Sequence, residues 1–295
     1  MSFSKIPIGS FAEDAVSWAT QNFDVFFSVA EGFLSTTIGS IYLFLSLMPV
    51  FIFILLLVLL AGGLAGKKTA VFTGLGLLLI YNLGLWEKMM LTLSLVTASA
   101  SIALVIGLPL GILMSKSGAA DKFIRPVLDF MQTMPAYVYL IPALYFFDLG
   151  EVPGAVATII FAMPPIVRLT NLGIRQVPAD VVEAAKSFGA TQTQLLSKVQ
   201  LPLAVPTIMS GLNQTIMLSL SMVVISAMVG TDGLGRVVYE GITQMDIGKG
   251  FEGGLAVVIL AIILDRVTQQ LGTGRLKTVK SFLQNFLSNA SEKEV

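Results

Sequence analysis

The sequence predicts an all-α fold of about seven membrane-spanning helices, preceded by an amphipathic helix at the membrane interface. Three observations predict it. Only 12% of the 295 residues are charged and 55% are hydrophobic, whereas ordinary soluble domains carry about 25% charged residues. Seven apolar windows, at about 42–65, 69–86, 89–115, 126–147, 153–170, 206–229 and 253–271, can each cross roughly 30 Å of hydrocarbon. The basic residues are also sorted by side. With seven spans, fourteen of the 18 fall on one side, and only Lys5, Lys88, Arg236 and Lys249 fall on the other.

The N-terminal segment, 1–41, lacks a basic stretch followed by an apolar one, so no cleaved signal peptide is expected. Within it Val16, Ala19, Phe23, Phe27, Ala30 and Leu34 recur at helical spacing, widened by Trp18, Phe26 and Phe33. Such a stripe suits a helix lying on a membrane surface, or one facing a protein scaffold. Residues 42–86 follow as scaffold helices, 87–271 as the core and 272–295 as a tail. Pro135 and Pro142 fall in the fourth window and Pro164-Pro165 in the fifth. Prolines free backbone groups that neighbouring helices must satisfy, which suits helices inside a bundle. The positive-inside rule places the basic side in the cytoplasm. The N-terminus is then outside, the C-terminus inside, and segment 171–205 cytoplasmic. A six-span reading flips only the N-terminus.

Composition removes several chemistries. The chain has no Cys and no His, which excludes thiolate sites, nucleophilic thiols and any Ser-His-Asp set. No metal site, no catalytic residue and no nucleic-acid partner is expected. GGLAGKKT (62–69) lacks the Gly-Lys-Ser/Thr ending of a phosphate loop, and GTDGLG (230–235) has the wrong spacing for a dinucleotide turn. The chain is therefore expected not to hydrolyse ATP itself, and not to be an enzyme. Asp129 and Asp265 lie near helix ends beside Arg125 and Arg266, where local ion pairs suit them better than a coupling-ion site.

One long polar interruption remains. Pro178 and Asp180 can start a helix with an apolar face of Val181, Val182, Ala184, Ala185 and Phe188. Gly189 can end it with positive φ. Thr191 or Thr193 can open a second helix, and Pro202 and Pro206 punctuate entry to the next span. The spacing then becomes specific. Glu183-Ala184-Ala185, three residues, Gly189, nine residues and Val199-Gln200-Leu201-Pro202 resemble the EAA signature of ABC importer membrane subunits, with Val in place of Ile. DFMQTMPAYVYLIPALYFF (129–147), the segment 152–185 and NQTIMLSLSMVVISAMVG (213–230) are similar to permeases for glycine betaine, proline betaine and related quaternary amines.

That resemblance implies a type I ABC importer permease in the bacterial cell membrane, paired with a second permease chain as a homodimer. An ABC ATPase subunit beneath would use ATP and Mg, and this chain would bind neither. A separate extracytoplasmic binding protein would capture the solute. Carried over by position, Glu183 would pair with a donor on the ATPase, and Ala184 and Ala185 would allow close docking. Gly189 would make the turn, and Leu201 and Pro202 would pass the stroke to the next span. Along that span Ser210, Asn213 or Gln214, Met217 and Ser221 recur on one face and, with Gln132, Tyr137 and Tyr139, are the pathway candidates. The same residue types also glue helices together. Two other classes stay open: a stand-alone ion-coupled carrier or channel, and a membrane scaffold with no transport role.

Overall fold

A computed structural model describes residues 7–271; the tail at 272–295 lies outside them. Every regular element among the described residues is helical. Among the described residues, five helices are long and apolar enough to cross a membrane. The first third of the chain forms α1 (Ile8–Asn22), α2 (Asp24–Ser46), α3 (Val50–Ala65) and α4 (Lys67–Asn82). Next come α5 (Trp86–Lys116), α6 (Gly118–Thr133), a 3-10 turn at Ala136–Tyr139, α7 (Leu140–Phe147) and α8 (Glu151–Arg175). The last third holds α9 (Ala179–Ser187), α10 (Gln192–Gln194), α11 (Leu201–Ser226), α12 (Leu234–Thr243) and α13 (Ile247–Leu271).

Three predicted windows differ from the helices found, and window 69–86 holds only the 16-residue α4, which is not among the five. Window 42–65 is divided at Pro49, which starts α3 in an extended conformation with ψ 139°. The long helix before it is α2, one of the five spanning candidates. The predicted amphipathic stripe thus runs on from α1 into α2, and it faces protein. Phe27 stacks on Phe146 of α7 at 4.3 Å, and Leu34 is buried with Ala103, Phe147, Val152 and Ile159. Trp18, Phe26 and Phe33 stay exposed. Window 126–147 is divided at Pro135, whose ψ of 136° separates amphipathic α6 from apolar α7. A proline cannot donate to the preceding turn, so each division follows the chemistry of that residue.

The centre of the bundle is α8, lying between α5 and α11. Small residues set the α5–α8 distance. A Cβ added at Gly111 would sit 2.5 Å from the Thr170 Cβ and 2.6 Å from the Val167 carbonyl oxygen. Close backbone approach of this kind drives helix association where lipid removes the hydrophobic incentive. One apolar cluster joins α5, α8 and α11 through Met114, Ile166, Val167, Ala204 and Ile208. Another joins α2 to α5 and α11 to α13 through Ile38, Met90, Leu220 and Leu260. Lys88, Arg236 and Lys249 lie at the end of the bundle away from α9, while Arg125, Arg168 and Arg175 lie at the α9 end. The charge sorting read in the sequence is therefore a sorting between the two ends of one bundle.

Candidate coupling segment and polar faces

At the end of α8 the chain leaves the bundle. Pro178, extended at ψ 136°, caps the nine-residue α9, which has Asp180 in its first turn and Lys186 in its last. Both charges complement the helix dipole. No residue of α9 is buried. Its end is a Schellman turn: Gly189 N–H donates to the Lys186 carbonyl at 2.9 Å and Ala190 N–H to the Ala185 carbonyl at 3.1 Å. Gly189 holds φ 77° with open space where a Cβ would stand. Glycine is needed here for backbone freedom, not for room.

Of the two threonines offered by the sequence, Thr191 opens the next helix. Its hydroxyl accepts from Gln194 N–H at 3.3 Å, and the Gln194 side chain accepts from Thr191 N–H at 2.9 Å, a capping box. From there the helix does not stop at Pro202, contrary to the punctuation expected. A π-turn at Leu195–Gln200 feeds directly into α11, so one helical body of 38 residues runs from Gln192 to Val229. The π-turn lies where the Pro202 ring would crowd the carbonyls of the preceding turn, and its wider register accommodates that. Leu195 is buried, and Leu196 and Leu201 pack against the cluster of Met114, Leu128 and Ile174.

The sequence-predicted coupling residues divide accordingly. Glu183, Ala184 and Gly189 are exposed, Ala185 is half-buried, Leu201 is packed and Pro202 is exposed. Phe188, between the alanines and Gly189, is 92% exposed, the most exposed large apolar side chain among the described residues. It was read in the sequence only as part of an apolar face.

Sequence reasoning missed how α8 is tied to its neighbours at this end. Arg175, in the last turn of α8, donates from Nε to Asn171 Oδ1 at 2.8 Å and from Nη2 to the Met114 carbonyl at 2.7 Å. Asn171, nearly buried, donates to Asp121 Oδ1 at 3.0 Å, and Arg125 pairs with Asp121 at 2.8 Å. The network thus stitches α5, α6 and α8. Asp129 pairs with Arg168 of α8, not with the neighbouring Arg125 that local spacing suggested. Asp265 accepts from Asn213 at 2.9 Å and Gln269 at 2.6 Å; the expected pair with Arg266 gives way to these amide donors. A pairing 39 or 52 residues away in sequence leaves no periodic trace.

The pathway candidates also separate. Ser210, Gln214 and Ser221 are exposed along α11, with Met217 half-buried in line. Asn213 instead faces α13, held by Asp265 and Thr268. A cleft of about 410 Å³ between α11 and α13 is lined by Ser210, Asn213, Gln214 and Gln269 among others. Tyr139 is buried, its hydroxyl donating to the Met131 carbonyl, while Gln132 and Tyr137 are exposed.

The pattern shared with known proteins agrees with this geometry. Residues 103–274 match the family described as binding-protein-dependent transport system inner membrane component. The chain belongs to this family. The permease is 48% identical over 267 residues to the glycine betaine transport system permease protein OpuAB of Bacillus subtilis, covering 90% of this chain and 95% of that one. It is 53% identical over 268 residues to the glycine betaine/carnitine transport permease protein GbuB of Listeria monocytogenes, with the same coverage of each chain. In structure it resembles the inward-facing MetNI methionine ABC transporter with a TM-score of 0.58 at 22% identity, covering 62% of this chain and 92% of that one. This last likeness is one of fold.

Proposed function

We propose that the permease forms the translocation pathway of an ATP-driven importer for glycine betaine and related quaternary amines. The single observation that carries the proposal is an exposed helix, α9, with no buried residue, joined by the hydrogen-bonded Gly189 turn to a 38-residue helical body. A surface that buries nothing of its own, yet is tied by one tight turn to a spanning helix, suits a lever seated in another protein. That protein is a separate ATPase, which consumes the ATP and Mg. Glu183 and the bare alanine face dock into it, Gly189 sets the turn, and Leu201 and Pro202 lie where the stroke enters α11. A second copy of the chain completes the pathway along Ser210, Gln214, Met217 and Ser221, and an extracytoplasmic binding protein delivers the solute. The sorting of basic residues to the α9 end supports placing that end in the cytoplasm, with the N-terminus outside and the C-terminus inside.

The glycine betaine reading rests on the relatives named above. Reconstitution tests it: permease, ATPase and binding protein together should accumulate labelled glycine betaine in vesicles only with ATP inside. Vesicles holding the permease alone under a sodium or proton gradient should accumulate none; accumulation there sinks the reading in favour of an ion-coupled carrier. Glu183→Lys and Gly189→Val should abolish ATP-driven uptake while the chain still inserts. For Gly189→Val the backbone penalty is ~1–3 kcal/mol, since a β-branched residue must hold a left-handed φ. Unchanged uptake in both variants favours a scaffold without a transport role.

A further inference from the structure

At the end of the bundle opposite α9, α7 stops at a turn that an L-residue resists. Asp148 has φ 55° and ψ −161°, a region populated almost only by glycine. Surrounding structure holds it there. Gly150 N–H donates to the Val229 carbonyl at 3.0 Å, and the Thr231 hydroxyl donates to the Gly150 carbonyl at 3.2 Å. The turn is thereby pinned to the segment that follows α11. Asp148 is exposed and makes no hydrogen bond or ion pair with any described residue. A strained residue whose carboxylate pairs with no described residue, in a pinned turn, directs attention to its side chain.

Three residues earlier Tyr145 is 63% exposed. Leu144, Tyr145, Asp148 and Leu149 line one cleft of about 400 Å³. Its chemistry is selective. A single carboxylate cannot supply the several oxygens that a metal ion requires. An ammonium ion bearing protons needs acceptors to match its donors, and one carboxylate beside two leucines leaves them unmatched. A quaternary ammonium group has no donor. It is satisfied by an aromatic face, an apolar surface for its methyls and a counter-charge.

We propose that this cleft is an entry site for quaternary ammonium groups at the mouth of the pathway. The Tyr145 ring supplies the cation–π face, Asp148 the counter-charge, and Leu144 and Leu149 the cover for the methyls. The ligand class rests on the proposed function. The placement at the delivery end rests on geometry, because α8 carries the chain from this turn to α9.

The test uses the permease–ATPase complex in nanodiscs, with tetramethylammonium as the probe read by saturation-transfer NMR. Tyr145→Ala and Asp148→Gly should each weaken its binding about tenfold, while Tyr145→Phe keeps it. Asp148→Gly relieves the backbone strain, so weaker binding in that variant cannot be put down to misfolding. The neutral isostere 3,3-dimethylbutanol should bind poorly to every form. Equal affinity for tetramethylammonium across the variants, or isostere binding as strong as that of the cation, overturns the site. In parallel, glycine betaine uptake with the saturated binding protein should fall in Tyr145→Ala while ATP hydrolysis continues. If the wild-type transporter carries no glycine betaine at all, the substrate reading fails, and the NMR result still decides the site.

Discussion

Of the helices that end in the same Schellman turn, α9 ends it with glycine and α12 with methionine. After α9 the residue in the left-handed region is Gly189, φ 77°; after α12 it is Met245, φ 55°. Both turns carry the Schellman pair of hydrogen bonds, since Met245 N–H donates to the Ile242 carbonyl at 3.3 Å and Asp246 N–H to the Gly241 carbonyl at 2.9 Å. The surroundings differ. A Cβ added at Gly241 would meet the Gly250 Cα and N at 2.4 Å, whereas nothing lies within 4 Å of one at Gly189. The α12–α13 hairpin is so tightly held that it can force a methionine into a glycine conformation. The α9 turn has open space beside Gly189, so nothing there forces the left-handed conformation and it comes from the turn's own backbone. The contrast teaches that the outlying segment is specified locally, which suits a surface whose packing partner is another molecule.

The largest expected effect breaks the supported side of that contrast. Gly241→Val places two methyls where the α13 backbone already is, and cannot be accommodated by a rotamer change. Overpacking of this kind costs ~1–3 kcal/mol and often more when backbone must shift. Thermal unfolding in nanodiscs should show a clear drop for Gly241→Val. Gly189→Val should show little global change, because only a local turn is strained, and should be detected by uptake instead. A similar Tm loss in both variants sinks the distinction.

Arg175→Leu comes next. It leaves the Asn171 side-chain oxygen and the Met114 carbonyl without their donor, each such loss costing ~1–3 kcal/mol where the group is desolvated. The ties from α8 to α5 and, through Asn171, to α6 weaken at the end where α9 is attached. We expect ATP hydrolysis to continue while uptake per ATP falls severalfold, with Arg175→Lys restoring part of it. A proportional fall in both rates means Arg175 serves folding alone.

Much of this architecture was legible in the sequence, and the limits have a physical cause. Apolar windows over α5, α8, α11 and α13 match four of the five helices long and apolar enough to cross a membrane, a match that depends on length and composition alone. The turn between α9 and the next helix was legible because its caps act within a few residues: Asp180, Gly189 and Thr191 each serve the helix end beside them. What escaped depends on distance. Nothing local says that Asp129 faces Arg168 rather than Arg125, or that Asn213 turns towards Asp265 and away from the exposed row of Ser210 and Gln214. Pro202 misled for a subtler reason. Its sequence context signals a break, and only the π-turn before it lets the helix run on.

A smaller effect sharpens the opening contrast from the other direction. Met245→Gly removes a left-handed penalty that amounts to ~1–2 kcal/mol for an L-residue, while glycine adds freedom to the unfolded chain. The net should be a Tm rise of a degree or so. Met245 is 89% exposed, so little packing is lost. A fall in Tm would mean that the hairpin does not impose the conformation on methionine as argued.

The smallest effect is electrostatic. Glu240 accepts from Arg236 Nε at 2.9 Å and from Lys249 Nζ at 2.7 Å, linking α12 to the start of α13. These hydrogen bonds, from Lys249 first and then Arg236, hold its carboxyl down at about 2, against an ordinary 4.5. A depressed carboxyl contributes stability that is fully present above 4.5 and is lost as the pH falls through about 2. The three side chains are partly exposed, so screening keeps the contribution small. Carboxyl carbon-13 shifts in nanodiscs should place the Glu240 midpoint near 2 and move it back towards 4.5 in Lys249→Gln. Gly189, six residues from the nearest charge other than Lys186, should keep its amide shift over the same range. If both turns respond alike to acid, the hairpin owes no more to its ion pairs than the α9 turn does, and the 2.4 Å approach of Gly241 to Gly250 must carry its rigidity alone.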